Sequence, residues 1–203
     1  MNKRELTRIA KALVQELPEF AASNDLLVRM PLAPVLRALC LERSGWDSRG
    51  FYAWVFFQPL CIPHAHVFFN LGWRLGGGTH IWNCDTPAGV TALREAIRRE
   101  ALPFLDRIQS PRDAALQVKL QGPTSLISQK AIAYAFARGG DYPQAIRELD
   151  RPVMVGHPEP VAEQDPEAKK LRDLLLRDPA AAQQQLQAWE DETRRALGLE
   201  EFR

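Results

Sequence analysis

Residues 51 to 75 constrain the fold of this chain more than any other stretch. "FYAWVFFQPL" (51–60) is aromatic and β-branched on both parities, so it reads as a strand buried on both faces. "HAHVFFNLGWRL" (64–75) alternates. Ala65, Val67, Phe69, Leu71, Trp73 and Leu75 share one face, and His64, His66, Phe68, Asn70, Gly72 and Arg74 share the other. "CIPH" is short enough to join the two segments as a hairpin. "GGGT" then makes a second reversal before "HIWN". The expectation is a three-stranded antiparallel meander from about 51 to 84.

Upstream, "NDLLVRM" and Leu39–Arg43 are strand candidates, the second followed by a turn over Ser44–Gly50. Leu6, Ile9, Ala10, Leu13, Val14 and Leu17 have helical spacing, which predicts a helix over 3–16. From Thr86-Pro87 onward the pattern turns helical. Val90, Leu93, Ile97 and Ala101 form a stripe that Pro103 should kink. Further helices are expected after Ser110, over "TSLISQKAIAYAFARGG" and over "DYPQAIRELDR". The last two form a helical hairpin whose small residues and glycine turn resemble one tetratricopeptide unit. A hairpin packed on the domain needs the same residues. Residues 152–165 read as a proline-rich loop. Asp165-Pro166 and Asp178-Pro179 predict helix starts after it. The fold class is therefore α+β. One domain over 1–151 holds a sheet of three to five antiparallel strands at about 27–84, with helices at about 3–16 and 87–151. The C-terminal helices of 166–203 pack on it.

Three of the four histidines lie between positions 64 and 80, near Cys61 and Cys84. Thiolate and imidazole are the donors zinc prefers. Strand parity projects His64 and His66 together, whereas pairing through "GGGT" carries His80 a strand-length away. No pair of cysteines stands at the spacing of a zinc knuckle. Histidines at a sheet edge, without metal or cofactor, are expected. A zinc protein or small hydrolase using Cys61, His64, His66 and Cys84 is the alternative. No nucleophile elbow occurs, and the glycines of "LGGGTH" sit between strands rather than before a helix, so no catalytic residue is assigned.

A different surface suggests recognition. Tyr52, Trp54 and Gln58 share a parity on the first strand, and His64, His66, Asn70 and Arg74 share one on the second. A face mixing aromatic rings with arginine and amides suits protein binding. Helices of the C-terminal half could cover the same face instead. Lys+Arg 26 against Asp+Glu 25 gives a formal net charge of +1, with no basic tract, which argues against nucleic acid. There is no apolar run long enough to span a membrane. The N-terminus reads as an amphipathic helix rather than a signal peptide, and a cytoplasmic chain, monomer or homodimer, is expected.

Leu36 to Leu75 resembles a loosely defined group of small bacterial cytosolic proteins. In these, a turn like "ERSGWD" leads to an aromatic strand, a "QPL" and a strand with "GWRL". Some are immunity-like proteins that neutralise a toxin. The resemblance carries no functional residue over. It implies a non-enzymatic role in binding another protein.

Overall fold

The structure, a computed structural model, describes residues 1–154 and 157–202. The fold is α+β. The chain divides into two compact units. Met1–Phe57 and Phe69–Arg107 build the first, and Gln58–Phe68 and Ile108–Glu201 build the second. The division falls inside the span read from sequence as one domain.

In the first unit, α1 (Lys3–Glu16) starts at a capping box. Asn2 accepts the Glu5 N–H at 3.0 Å, and Glu5 accepts the Asn2 N–H at 2.6 Å. The sheet then runs in sequence order through β1 (Phe20–Ser23), β2 (Leu26–Arg29), β3 (Val35–Arg43), β4 (Phe51–Pro59) and β5 (Gly72–Arg74). It begins earlier than residue 27 because Asn24, with φ +54°, permits a tight Asn24-Asp25 reversal. Leu27, Leu39, Leu41, Phe51, Ala53, Val55 and Leu75 lie in one buried cluster with Leu6, Ala10 and Leu13 of α1. Leu93 and Ala96 of α2 (Pro87–Ala96) complete this core. The Thr86 hydroxyl caps α2 by accepting the Gly89 N–H. The helix widens to a π-helical turn over Ile97–Ala101 and resumes as α3 (Leu102–Leu105). Pro103 has no N–H to continue the α ladder, and the Leu102 N–H reaches back to Ile97 instead.

The meander survives only in outline. Of the strand expected over 64–75, only Gly72–Arg74 pairs with β4, through Trp54 opposite Arg74, Val55 opposite Trp73 and Phe56 opposite Gly72. Phe69–Leu71 is a 3₁₀ turn. The preceding residues leave the sheet because local partners outcompete the ladder. Pro59 and Pro63 have no N–H to give, the Phe68 N–H goes to the Gln58 side chain, and His64 Nδ1 takes the His66 N–H. The "HIWN" strand reduces to one bridge, Phe51 with Trp82.

The second unit is helical around α5 (Leu126–Arg138), buried without interruption from Ser128 to Ala137. It packs against α4 (Pro111–Gln121), α6 (Tyr142–Leu149), α7 (Val161–Gln164) and α9 (Pro179–Ala196), while α8 (Pro166–Arg177) packs on α6 and α9. The expected α5–α6 hairpin forms across Gly139-Gly140, with Gly140 at φ +83°. Burial on all sides leaves α5 no open concave face of the kind a peptide-binding repeat uses. The segment read as a proline-rich loop carries β6 (Pro152–Met154), β7 (His157–Pro160) and α7 instead, with Pro152 opposite Pro160 and Met154 opposite His157 in a short antiparallel pair. Residues 155 and 156 of that segment lie outside the described residues.

Burying α5 also buries polar side chains; Gln129 Oε1 and the Tyr134 hydroxyl have no hydrogen-bond partner among the described residues, whereas the charged groups on α5 and its neighbours are paired. Lys130 donates to Asp165 at 2.6 Å. Glu148, 1% exposed, meets Lys119 and Arg151 at 2.8 and 3.2 Å. Glu190 meets Arg138 and Arg194 at 3.0 and 2.8 Å. A charge left alone in such a place is far more costly than the pair.

Two predictions follow from these contacts. A Cβ at Gly72 would lie 2.1 Å from the Val55 carbonyl oxygen and 2.6 Å from Phe56 Cβ. Gly72→Ala should therefore cost about 2 kcal/mol through forced separation of β4 and β5, read as a lowered midpoint in urea. Burial raises the Asp165 carboxyl pKa, but the Lys130 hydrogen bond, the Ala168 N–H and the Lys130 charge outweigh it and hold the group below its ordinary value of 3.8. Its contribution is complete above that value and is lost as pH falls through the lower folded-state value. Asp165→Asn keeps a good helix cap but strands Lys130. It should cost about 2 kcal/mol at neutral pH, and the deficit relative to wild type should shrink below about pH 4 in denaturant titrations.

Candidate functional site

The face predicted for recognition is largely filled by its own side chains in the first unit. β4 presents Tyr52 and Trp54, and β5 presents Arg74 opposite them. The Arg74 guanidinium lies 3.8 Å from the Tyr52 ring centre and 4.7 Å from that of Trp54. Phe69, delivered by the 3₁₀ turn, stacks on Trp54 at 4.7 Å and meets Phe56 edge-on at 5.4 Å. Glu42 of β3 accepts the Trp54 indole N–H at 2.7 Å and lies 3.7 Å from Arg74, which also donates to the Gly78 carbonyl. The cation thus sits on two aromatic rings with its carboxylate alongside. Tyr52 is buried and Trp54 half-buried. Asn70 is exposed on the 3₁₀ turn.

Gln58, His64 and His66 belong to the second unit. Gln58 is fully buried, where its carbonyl accepts the Phe68 N–H. His64 and His66 are exposed, with ring centres 6.3 Å apart, and His64 also packs edge-on against Phe68. Their neighbours point inward. Leu60, Cys61 and Ile62 are core residues; Cys61 Sγ donates to the Tyr134 carbonyl of α5, and Thr193 of α9 donates to the Ile62 carbonyl. "CIPHAH" is therefore a segment anchored among helices at one end and carrying two solvated imidazoles at the other.

That arrangement does not bring the alternative metal set together. Among the described residues, no three His, Cys, Asp or Glu side chains stand as a metal-binding group. The three thiols are also poorly suited to serve as thiolates. Burial, with the Glu190 charge adding to it, pushes Cys61 up to about 12; burial and Asp25 do the same for Cys40, to about 12, and burial and Asp85 raise Cys84 to about 11. A protonated thiol is a poor nucleophile.

The most exposed large apolar side chain is one that periodicity does not select. Trp46, at the tip of the β3–β4 turn, is 89% exposed. The turn under it is ordered by its own hydrogen bonds. The buried Ser44 hydroxyl accepts the N–H groups of Trp46 and Asp47, both at 3.1 Å. The Asp47 carboxylate accepts the Arg49 N–H, and Ser44 N–H to Gly50 carbonyl closes the base. Two clefts open on this unit, of which only the smaller is lined by residues of the turn, Ser48 and Arg49. One, of about 470 Å³, is lined by Lys3, Leu6, Cys40, Glu42, Arg43 and Phe69 among others. The other, of about 110 Å³, is lined by Glu5, Arg8, Ser48, Arg49 and Cys84 among others. The sequence signal was present in "RSGWDSRG": a tryptophan in a run of turn formers has no core face to join.

Comparison with protein-family models, with curated proteins and with solved structures found no match to this chain.

The thiol environments give a direct check. At pH 8, Ellman's reagent should label the native protein slowly and substoichiometrically, and should titrate all three cysteines once the chain is unfolded in guanidinium. Rapid native labelling of Cys61 would contradict its placement.

Proposed function

We propose that this protein is a non-catalytic, cytoplasmic binding module for another protein, and that the turn bearing Trp46 is its contact point. The observation that carries the reading is the 89% exposure of a tryptophan on a turn held by five hydrogen bonds. Holding an indole in water sacrifices burial that folding could have used. Tryptophan and arginine are also the residue types that dominate binding energy at protein interfaces. A rigid turn has little ordering entropy left to lose on association. The burial of Cys40 and Cys61 supports a role without thiol chemistry. The likeness of residues 36–75 to immunity-like proteins supports a partner that is itself a protein. No helix among the described residues is long and apolar enough to cross a membrane.

The test uses a photoreactive amino acid at position 46 and, as a control, at exposed Arg195. In living cells the position-46 probe should give a discrete protein adduct that the position-195 probe does not. Trp46→Ala should leave the unfolding free energy within about 0.5 kcal/mol of wild type, because the side chain lacks core contacts. Identical adduct patterns from the two positions would refute the assignment.

A further inference from the structure

β3 outruns the strand beside it. Its pairing with β2 ends where Cys40 stands opposite Leu26, the Leu41 N–H goes to the Asp25 carbonyl, and Glu42 and Arg43 continue past that point. The cleft of about 470 Å³ lies at this step, beside the first residues of α1. Leu6, Cys40, Leu41 and Phe69 give it an apolar lining. Cys40 is 7% exposed, and its thiol has no hydrogen-bond partner among the described residues. Charges of both signs line the same space. Glu42 is committed to Trp54 and Arg74, and Asn2 to the cap of α1. Lys3, Asp25 and Arg43 are not. Among the described residues, none of these three side chains makes an ion pair or a hydrogen bond. Asp25 is half-buried, where a carboxylate without a partner is costly. Burial raises the Cys40 pKa most, the Asp25 and Glu42 charges add to it, and the Lys3 charge opposes it. Anion and cation therefore both act at the thiol that lines the cleft.

We propose that this cleft binds a small zwitterion with an apolar body, of the class of an apolar amino acid or short peptide with both ends free. Asp25 takes the ammonium group, Lys3 and Arg43 take the carboxylate, and Leu6, Cys40, Leu41 and Phe69 cover the apolar part. The balance of charge is what selects the ligand. A purely anionic molecule would be set against Asp25, and a purely cationic one against Lys3 and Arg43, whereas a zwitterion matches each. Arginine suits the carboxylate end because its guanidinium offers a two-point fork. Small-molecule sites are clefts of about 300 to 1,000 Å³ with a mainly apolar lining and a few polar groups that fix orientation, and this cleft has that size and make-up. Trp46 does not line it, so the inference stands apart from the protein-binding reading.

The experiment is a calorimetric titration of the full chain with the dipeptide phenylalanyl-leucine and with phenylalanine, each also in its N-acetylated and its C-terminally amidated form. The same titrations are run on Asp25→Asn, Asp25→Glu, Lys3→Gln/Arg43→Gln and Trp46→Ala variants, each checked for unchanged circular dichroism. Saturable binding of a free probe is expected, weakened about tenfold or more by capping either end. Whichever free probe binds more tightly identifies a peptide or a single amino acid as the source. In Asp25→Asn the acetyl group should no longer cost affinity, and in Lys3→Gln/Arg43→Gln the amide should no longer do so. Asp25→Glu should retain most of the affinity, and Trp46→Ala all of it. Absence of saturable binding by both free probes, affinity indifferent to capping, or capping penalties that persist in the matching variants would overturn the site while leaving protein binding through Trp46 intact.

Discussion

Everything in the first unit depends on β4 having no face for water. Phe51, Ala53 and Val55 on one side and Tyr52, Trp54 and Phe56 on the other must all be covered. Burial of such side chains is worth about 2 kcal/mol each, so a central strand of this kind recruits two layers rather than one. The first layer is helical, from α1 and α2. On the second side, β5 and the 3₁₀ turn supply Arg74 and Phe69, which cap the rings of β4 and leave little of the Tyr52–Trp54 surface open. An aromatic and polar face that looks suited to recognition is here consumed by internal packing.

The same accounting explains the departure of residues 60–68 from the sheet. Leu60, Cys61 and Ile62 are as apolar in effect as the strand they follow, and they gain burial against α5 and α9. Two prolines make the alternative, a continued ladder, less favourable. In the second unit, α5 gains from burial on every side but takes Lys130 and Gln129 in with it. The carboxylates of Asp165, Glu148 and Glu190 are therefore met by lysines and arginines across helices. Those pairs contribute less as attraction than they would cost if broken, and they restrict which helix registers are tolerable.

How much of this was legible in sequence follows from what periodicity measures. Caps and helix stripes are local, so Thr86, Ser110, Asp165 and Asp178 mark true helix starts. The apolar content of β3 and β4 is strong enough to place them as well. The alternation at 64–75 misled because parity states which side chains would share a face if the backbone were extended; it does not say whether the backbone finds a partner. There the Gln58 amide and His64 imidazole offered nearer ones. The 20–23 strand was missed because its alanines and serine carry almost no pattern, and only the Asn24 turn reveals it. Trp46 was missed for the opposite reason. Periodicity searches for residues that belong to a buried face, and this one belongs to none.

That difference separates the packed tryptophans of this chain from the exposed one. Trp54, Trp73, Trp82 and Trp189 each have a ring partner within the fold. Trp46 has hydrogen bonds beneath its backbone and solvent around its ring. Folding stability supplies no reason for an indole there, since a serine or asparagine would serve the turn equally well. On the proposed reading, the tryptophan at position 46 is kept for contact with a partner. A turn ordered by its own hydrogen bonds would make such a contact with its geometry already in place, so the ordering cost is met during folding and little remains at binding.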